Sequence, residues 1–194
     1  MEILEPVKYP KQTDGIKDGV GAEKSDTSLL AGIRAHDQAS LELLYKNYFP
    51  RLNRFVTQIT QDPHETLDVI NEVFLTVWND ASRFRGESSL SSWIIGIAYN
   101  KSLSTLRKRR KWLSFSDDLD NIAVTESDQA LVSDDIYKIM KKLKPEHRAM
   151  MELTYYFGYS YKEIADILGL TPSMVRDQLH QARKKIKSLI GDVK

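Results

Sequence analysis

The chain has 194 residues, of which 41% are hydrophobic, enough for one domain or two small ones with a core each. Lys and Arg number 28 against 27 Asp and Glu, so the net charge of +1 does not by itself advertise a nucleic-acid binder. With no cysteine, disulfides, Cys-ligated zinc, iron–sulfur clusters and thiol catalysis are excluded. No apolar run approaches the length of a membrane-spanning helix, and Met1-Glu2-Ile3-Leu4-Glu5 lacks a signal-peptide pattern, so a cytoplasmic location without membrane insertion is expected.

Residues 1–25 hold Pro6, Pro10, Gly15, Gly19 and Gly21 without lasting periodicity. They read as a flexible arm, or else as a few ordered residues against the body. From 26 to 113 the pattern is helical. Leu29, Leu30 and Ile33 open an apolar stripe that Leu41, Leu44, Tyr45, Tyr48, Leu52, Phe55, Val56 and Ile59 continue at spacings of three and four. Pro50 either starts a new helix or bends an existing one. Asp62-Pro63-His64-Glu65 is a helix start with a reciprocal cap between Asp62 and Glu65. The helix it opens places Leu67, Ile70, Phe74, Val77 and Trp78 on one face. A break around Gly86 precedes a helix from about Ser89, with Leu90, Ile94, Ile97 and Ala98 inward, running into Arg107-Lys108-Arg109-Arg110-Lys111.

Residues 114–130 carry five acidic residues and no Lys or Arg. They read as a flexible acidic linker that spans up to about 55 Å when extended. The second domain, 131–194, begins with Ile136, Ile139, Met140 and Leu143, then a helix opened by Pro145 with Ala149, Met150, Leu153 and Phe157 inward. Ser160 and Glu163 form a capping box, Ile164, Ala165 and Leu168 face the core, and Gly169 closes that short helix. Thr171 caps the final helix, Pro172 takes its first position, and Val175, Leu179, Ala182, Ile186 and Leu189 form its buried stripe. No strand candidate survives. The expected fold is all-α, two small helical domains with the second a helix-turn-helix.

Ser160 to Lys187 has the order a helix-turn-helix needs, with a second helix that buries one face and offers its first turns to the major groove. Ser173, Arg176, Gln178 and His180 are donors for bases or phosphates, and Arg183, Lys184, Lys185 and Lys187 supply attraction to the backbone. The bland alternative is a helical hairpin with a solvated basic face. In the first domain Trp93, Tyr99, Asn100 and Lys101 cluster, with Phe84 and Arg85 before them and the basic run after. Aromatics interleaved with cations suit unpaired bases, which stack while phosphates are held. On the residues alone, Trp93 is equally a core residue and the cations a solubilising end. Asp68 and Glu72 share a helix face, which reads as an acidic docking patch or simple surface solvation. The four histidines have no ligand spacing and no phosphate loop or nucleophile motif is present, so neither an enzyme, a metal nor a cofactor is expected.

Taken in order, these segments resemble the extracytoplasmic-function sigma factors of the sigma-70 family over about residues 26–190. Leu29-Leu30-Ala31 and Asp37 through Tyr45 match the opening of region 2. Asp68 through Trp78 is similar to the helix that docks on the coiled coil of the largest RNA polymerase subunit. Phe84-Arg85-Gly86 and Ser92 through Asn100 match the part that melts and reads the −10 element. Leu143-Lys144-Pro145 with Phe157 through Ala165 resembles region 4, which reads the −35 element as duplex. The resemblance implies polymerase contacts at Asp68, Asn71, Glu72 and Phe74. It implies −10 contacts at Phe84, Arg85, Trp93, Tyr99, Asn100, Lys101 and Arg107. It implies −35 contacts at Thr171, Ser173, Arg176, Gln178, His180, Arg183 and Lys184. Core RNA polymerase, promoter DNA and a separate anti-sigma protein are the implied partners. Asn71 departs from the family's usual Gln, and Asp177 and Gln178 stand where Ser and Arg are usual. The competing reading is a two-domain helix-turn-helix regulator that binds DNA without joining polymerase.

Overall fold

The computed structural model describes residues 26–113 and 134–191. The arm (1–25) and the linker (114–130) therefore lie outside the described residues. Among those described there is no strand. The helices form two compact units.

The first unit contains α1 (Asp26–Arg34), α2 (Gln38–Thr60), α3 (Pro63–Asp80), a 3₁₀ turn (Ala81–Arg83) and α4 (Leu90–Leu113). Helices α2, α3 and α4 pack on one another, and α1 lies against α2. Leu29, Ile33, Leu44, Leu52, Phe55, Ile59, Ile70 and Ile94 are fully buried, each contributing about 1.5–3 kcal/mol of transfer free energy. Asp37 caps α2 by accepting from the Ser40 N–H at 3.1 Å. Pro50 lies inside α2 rather than at a new start. Between α1 and α2, His36 takes a left-handed conformation at φ 55°, and its ring meets Trp78 edge-on at 5.1 Å. Gly32 lets the two helices approach closely: a Cβ there would fall 2.1 Å from Ser40 Oγ.

Asp62 caps α3 by accepting from the His64 and Glu65 N–H groups at 2.9 and 3.0 Å. The expected reciprocal bond from Glu65 is replaced by an ion pair, because Arg109 of α4 lies 3.0 Å from its carboxylate. The inward face of α3 is Thr66, Val69, Ile70, Val73, Phe74 and Val77. Leu67, expected inward, is exposed. On α4 the core takes Ile95 and Tyr99 besides Leu90, Ile94 and Ala98, while Ile97 is only partly buried. The helix is packed on two sides, so its buried arc is wider than one stripe.

The second unit contains α5 (Asp134–Lys141), α6 (Pro145–Met151) running into a π turn (Glu152–Tyr156), α7 (Tyr161–Leu168) and α8 (Pro172–Gly191). In the π turn the Phe157 N–H donates to the Glu152 carbonyl at 3.1 Å, five residues back. Ser160 and Glu163 form the expected capping box, and Gly169 ends α7 at φ 67°. Ile167 is buried where Leu168 was expected, and Leu168 is partly exposed. Val175, Leu179 and Ala182 are completely buried, but Ile186 and Leu189 only partly, because the stripe outruns the helices it packs on. Arg148 is buried and donates to the Leu143 and Lys141 carbonyls, tying α6 to the end of α5.

Candidate nucleic-acid interface

The outer face of α3 follows from its buried face. Because Val69, Ile70, Val73 and Val77 turn inward, Asp68, Asn71, Glu72 and Leu75 turn outward at helical spacing, and all four are exposed. Leu75 is 60% exposed, and Leu67 lies on the same side. Phe74 is buried, its ring 4.6 Å from that of Tyr45, which is itself exposed. The surface is therefore a carboxylate and amide stripe flanked by apolar side chains. Phe74 supports it from beneath and does not form it. Leu75 was missed in the sequence because it lies off the apolar stripe.

Ser89 caps α4 by accepting from the Ser92 N–H at 3.0 Å. That fixes the first turn of α4 and with it Trp93, whose ring centroid lies 5.2 Å from that of Phe84. Phe84 and Arg85 belong to the loop between the 3₁₀ turn and α4. With α1 this loop encloses an open concavity of roughly 420 Å³, lined by Asp26, Thr27, Arg34, Phe84, Arg85 and Ser88 among others. Asn100 and Arg107 are exposed, as expected. Tyr99 corrects the reading: it is 6% exposed and packed in the bundle, so its ring offers no stacking face. Lys101 pairs with Glu72 of α3 at 3.2 Å, so a cation assigned to DNA meets a carboxylate assigned to polymerase. Within the basic run Arg109 is taken up by Glu65, whose carboxyl burial pushes above its usual range although Arg109 pulls the other way. Arg107, Lys108 and Arg110 are exposed, and Trp112 beyond them is 70% exposed.

In the second unit Thr171 accepts from the Met174 N–H at 3.3 Å, so the start of α8 is capped. Ser173, Arg176 and His180 are exposed, and Gln178 is partly exposed. Met174, not singled out in the sequence, stands exposed in the same first turn. Arg176 contacts Asp177 at 3.7 Å, both largely in solvent, which is a weak pairing. Lys184 is exposed. Arg183 is different. Its Nη2 donates to the Tyr161 hydroxyl at 2.9 Å, and its guanidinium lies 5.9 Å from the centre of the Tyr155 ring. Burial opposes its charge, but the bond to Tyr161 and the two tyrosines outweigh it, so its pKa is raised. Arg183 thus braces α8 against α7 and the π turn, and is not simply a phosphate anchor.

These two units define the class: an all-α protein in which a helical bundle carrying an aromatic–basic pocket is joined in one chain to a helix-turn-helix. Residues 44–111 match the family model Sigma-70 region 2, and residues 133–186 match Sigma-70, region 4. RNA polymerase sigma factor YlaC of Bacillus subtilis (strain 168) is 28% identical over 156 residues, 76% of this chain and 90% of that protein. ECF RNA polymerase sigma factor SigM of the same organism is 24% identical over 155 residues, 77% of this chain and 94% of that protein. Among solved structures, the sigma factor RpoE in complex with the anti-sigma factor NepR from Bartonella quintana superimposes with a TM-score of 0.66 at 21% identity, covering 77% of this chain and 96% of that one. The chain belongs to the sigma-70 family, as a sigma factor of its extracytoplasmic-function group.

Proposed function

We propose that this chain directs core RNA polymerase to particular promoters and helps to open their −10 element. One observation carries the reading: a single chain holds both an aromatic–basic pocket suited to unpaired bases and a capped helix suited to duplex DNA. Asp68, Asn71 and Glu72, with Leu75 beside them and Phe74 beneath, dock on polymerase. Phe84, Arg85, Trp93, Asn100 and Arg107 take the −10 strand, with Lys101 reaching it once released from Glu72. Thr171, Ser173, Arg176, Gln178, His180 and Lys184 face the −35 duplex. The boundaries at 26–113 and 131–194 separate these two tasks, and residues 114–130 link them.

The chain does no chemistry of its own; polymerase supplies the reaction, and this subunit supplies position. It works in the cytoplasm, and none of its described helices is long and apolar enough to cross a membrane. A separate anti-sigma protein holds it inactive. The structure of RpoE with NepR supports that partner class.

In-vitro transcription with purified core polymerase and a promoter library tests the reading. Addition of this chain is expected to produce transcripts from a defined promoter set, and the chain is expected to co-purify with core polymerase at moderate salt. DNA binding without polymerase binding would favour a stand-alone regulator.

A further inference from the structure

We propose that Arg34, at the end of α1, is the positioning residue of the strand-capturing pocket. The proposal rests on the reading of that pocket as part of the −10 site. Arg34 Nε donates to the Ala81 carbonyl at 3.0 Å, and its Nη2 donates to the Phe84 carbonyl at 2.7 Å. The Phe84 N–H returns to the same Ala81 carbonyl at 3.3 Å. Both ends of the turn that delivers Phe84 are therefore held by one guanidinium.

A guanidinium is a planar fork, so two of its N–H groups set the distance and the angle between the carbonyls they bind. A lysine ammonium carries the same charge but fixes no such plane. The Phe84 ring in turn meets Trp93, so the placement of the Phe84 backbone sets the aromatic pair. Helix α1 is a firm base for this fork. Leu29, Leu30 and Ile33 are buried, and at the other end of the helix the Tyr48 hydroxyl donates to Asp26 at 3.2 Å. Asp26 and Arg34 both line the concavity, so α1 forms one wall of the pocket and sets the opposite one.

The test uses the full chain assembled with core RNA polymerase. Wild-type holoenzyme first selects single-stranded DNA oligonucleotides from a random pool; a selected oligonucleotide and its scrambled version are then the probes. Arg34→Met and Arg34→Lys are both expected to lower the ratio of the two affinities by roughly tenfold, the order of one charge-assisted hydrogen bond. Affinity for −35 duplex and for core polymerase should stay within about twofold, since a twofold change is only a fraction of one such bond. Full recovery by Arg34→Lys would mean that charge alone matters and would overturn the proposal. So would an unchanged ratio in both variants, or a parallel fall in every affinity together with the melting temperature. If wild-type holoenzyme selects no sequence from the pool, the −10 reading itself fails, before any variant is compared.

Discussion

Arg183 shows how a side chain can be legible as part of a face while its partners within the fold are not. Its place among the cations of α8 is plain in the sequence, but its bond to Tyr161 depends on how α7 crosses it. A charge-assisted hydrogen bond and a ring contact together are worth about 1–3 kcal/mol. Arg183→Met is therefore expected to lower the melting temperature and to leave the salt dependence of −35 duplex binding nearly intact. Lys184→Ala should do the reverse, reducing the slope of log affinity against log salt by about 0.9. Anisotropy titrations at several salt concentrations, with a thermal melt of each variant, check both. Gly32 is another such case. Gly32→Ala drives a methyl into Ser40 Oγ and is expected to cost about 1–3 kcal/mol. Removing the hydroxyl in the double variant with Ser40→Ala should recover only part of this, because Ser40 Cβ itself lies 2.7 Å from the added atom. Denaturant melts of the two variants measure the difference.

Helix α6 carries a proton-linked contribution. Burial lowers the His147 pKa below its ordinary value of 6.5, and Lys144 pushes it the same way while Glu146 opposes. The folded chain thus binds this proton less readily than the unfolded chain. Stability from this group is fully present above pH 6.5 and is lost as pH falls through that value toward the lower folded pKa. The melting temperature of wild type is expected to fall between about pH 7.5 and 5.5, and His147→Gln should flatten part of that fall. Melts across the range, with hydrogen exchange read on α6 to α8, locate the effect. Helix ends were legible because capping is local. Asp62 with Pro63, Ser160 with Glu163 and Gly169 each act within a few residues, and each stands where the pattern put it. Which side chains lie at the margins of a buried face was not legible. Leu67 and Tyr45 turn out and Tyr99 turns in because neighbouring helices, distant in sequence, decide how wide a buried arc becomes.

The all-α architecture of two helical units was legible from periodicity alone, and the family from the order of its segments. Of the candidate interface, the exposed stripe on α3 and the capped start of α8 could be read from helical spacing. The pocket could not, since it joins α1 to a loop some fifty residues away, and no local pattern records that meeting. The division of labour between the units makes a direct prediction. Trp93→Ala removes a partly buried ring beside Phe84 and should reduce promoter opening about tenfold, the order of one lost base stack. Binding to −35 duplex should be unchanged. Permanganate reactivity of promoter thymines and duplex anisotropy read the two separately, and an equal loss in both would refute a direct role at the melted strand.

The wide turn at Glu152–Tyr156 makes the second unit sensitive to chain length as well as to residue identity. A π turn fits one residue more than an α-helix needs to reach the same place, so deleting one amino acid there would let an ordinary α-helix run on with the residues beyond it still in phase, while the side chains inside the turn would be redistributed. Tyr155 is among those inside the turn, and its ring contact with Arg183 depends on that wider path. A single-codon deletion at this point would spare the helix and its phase yet disturb its ring contact with α8, an injury that no comparison of residue types would reveal.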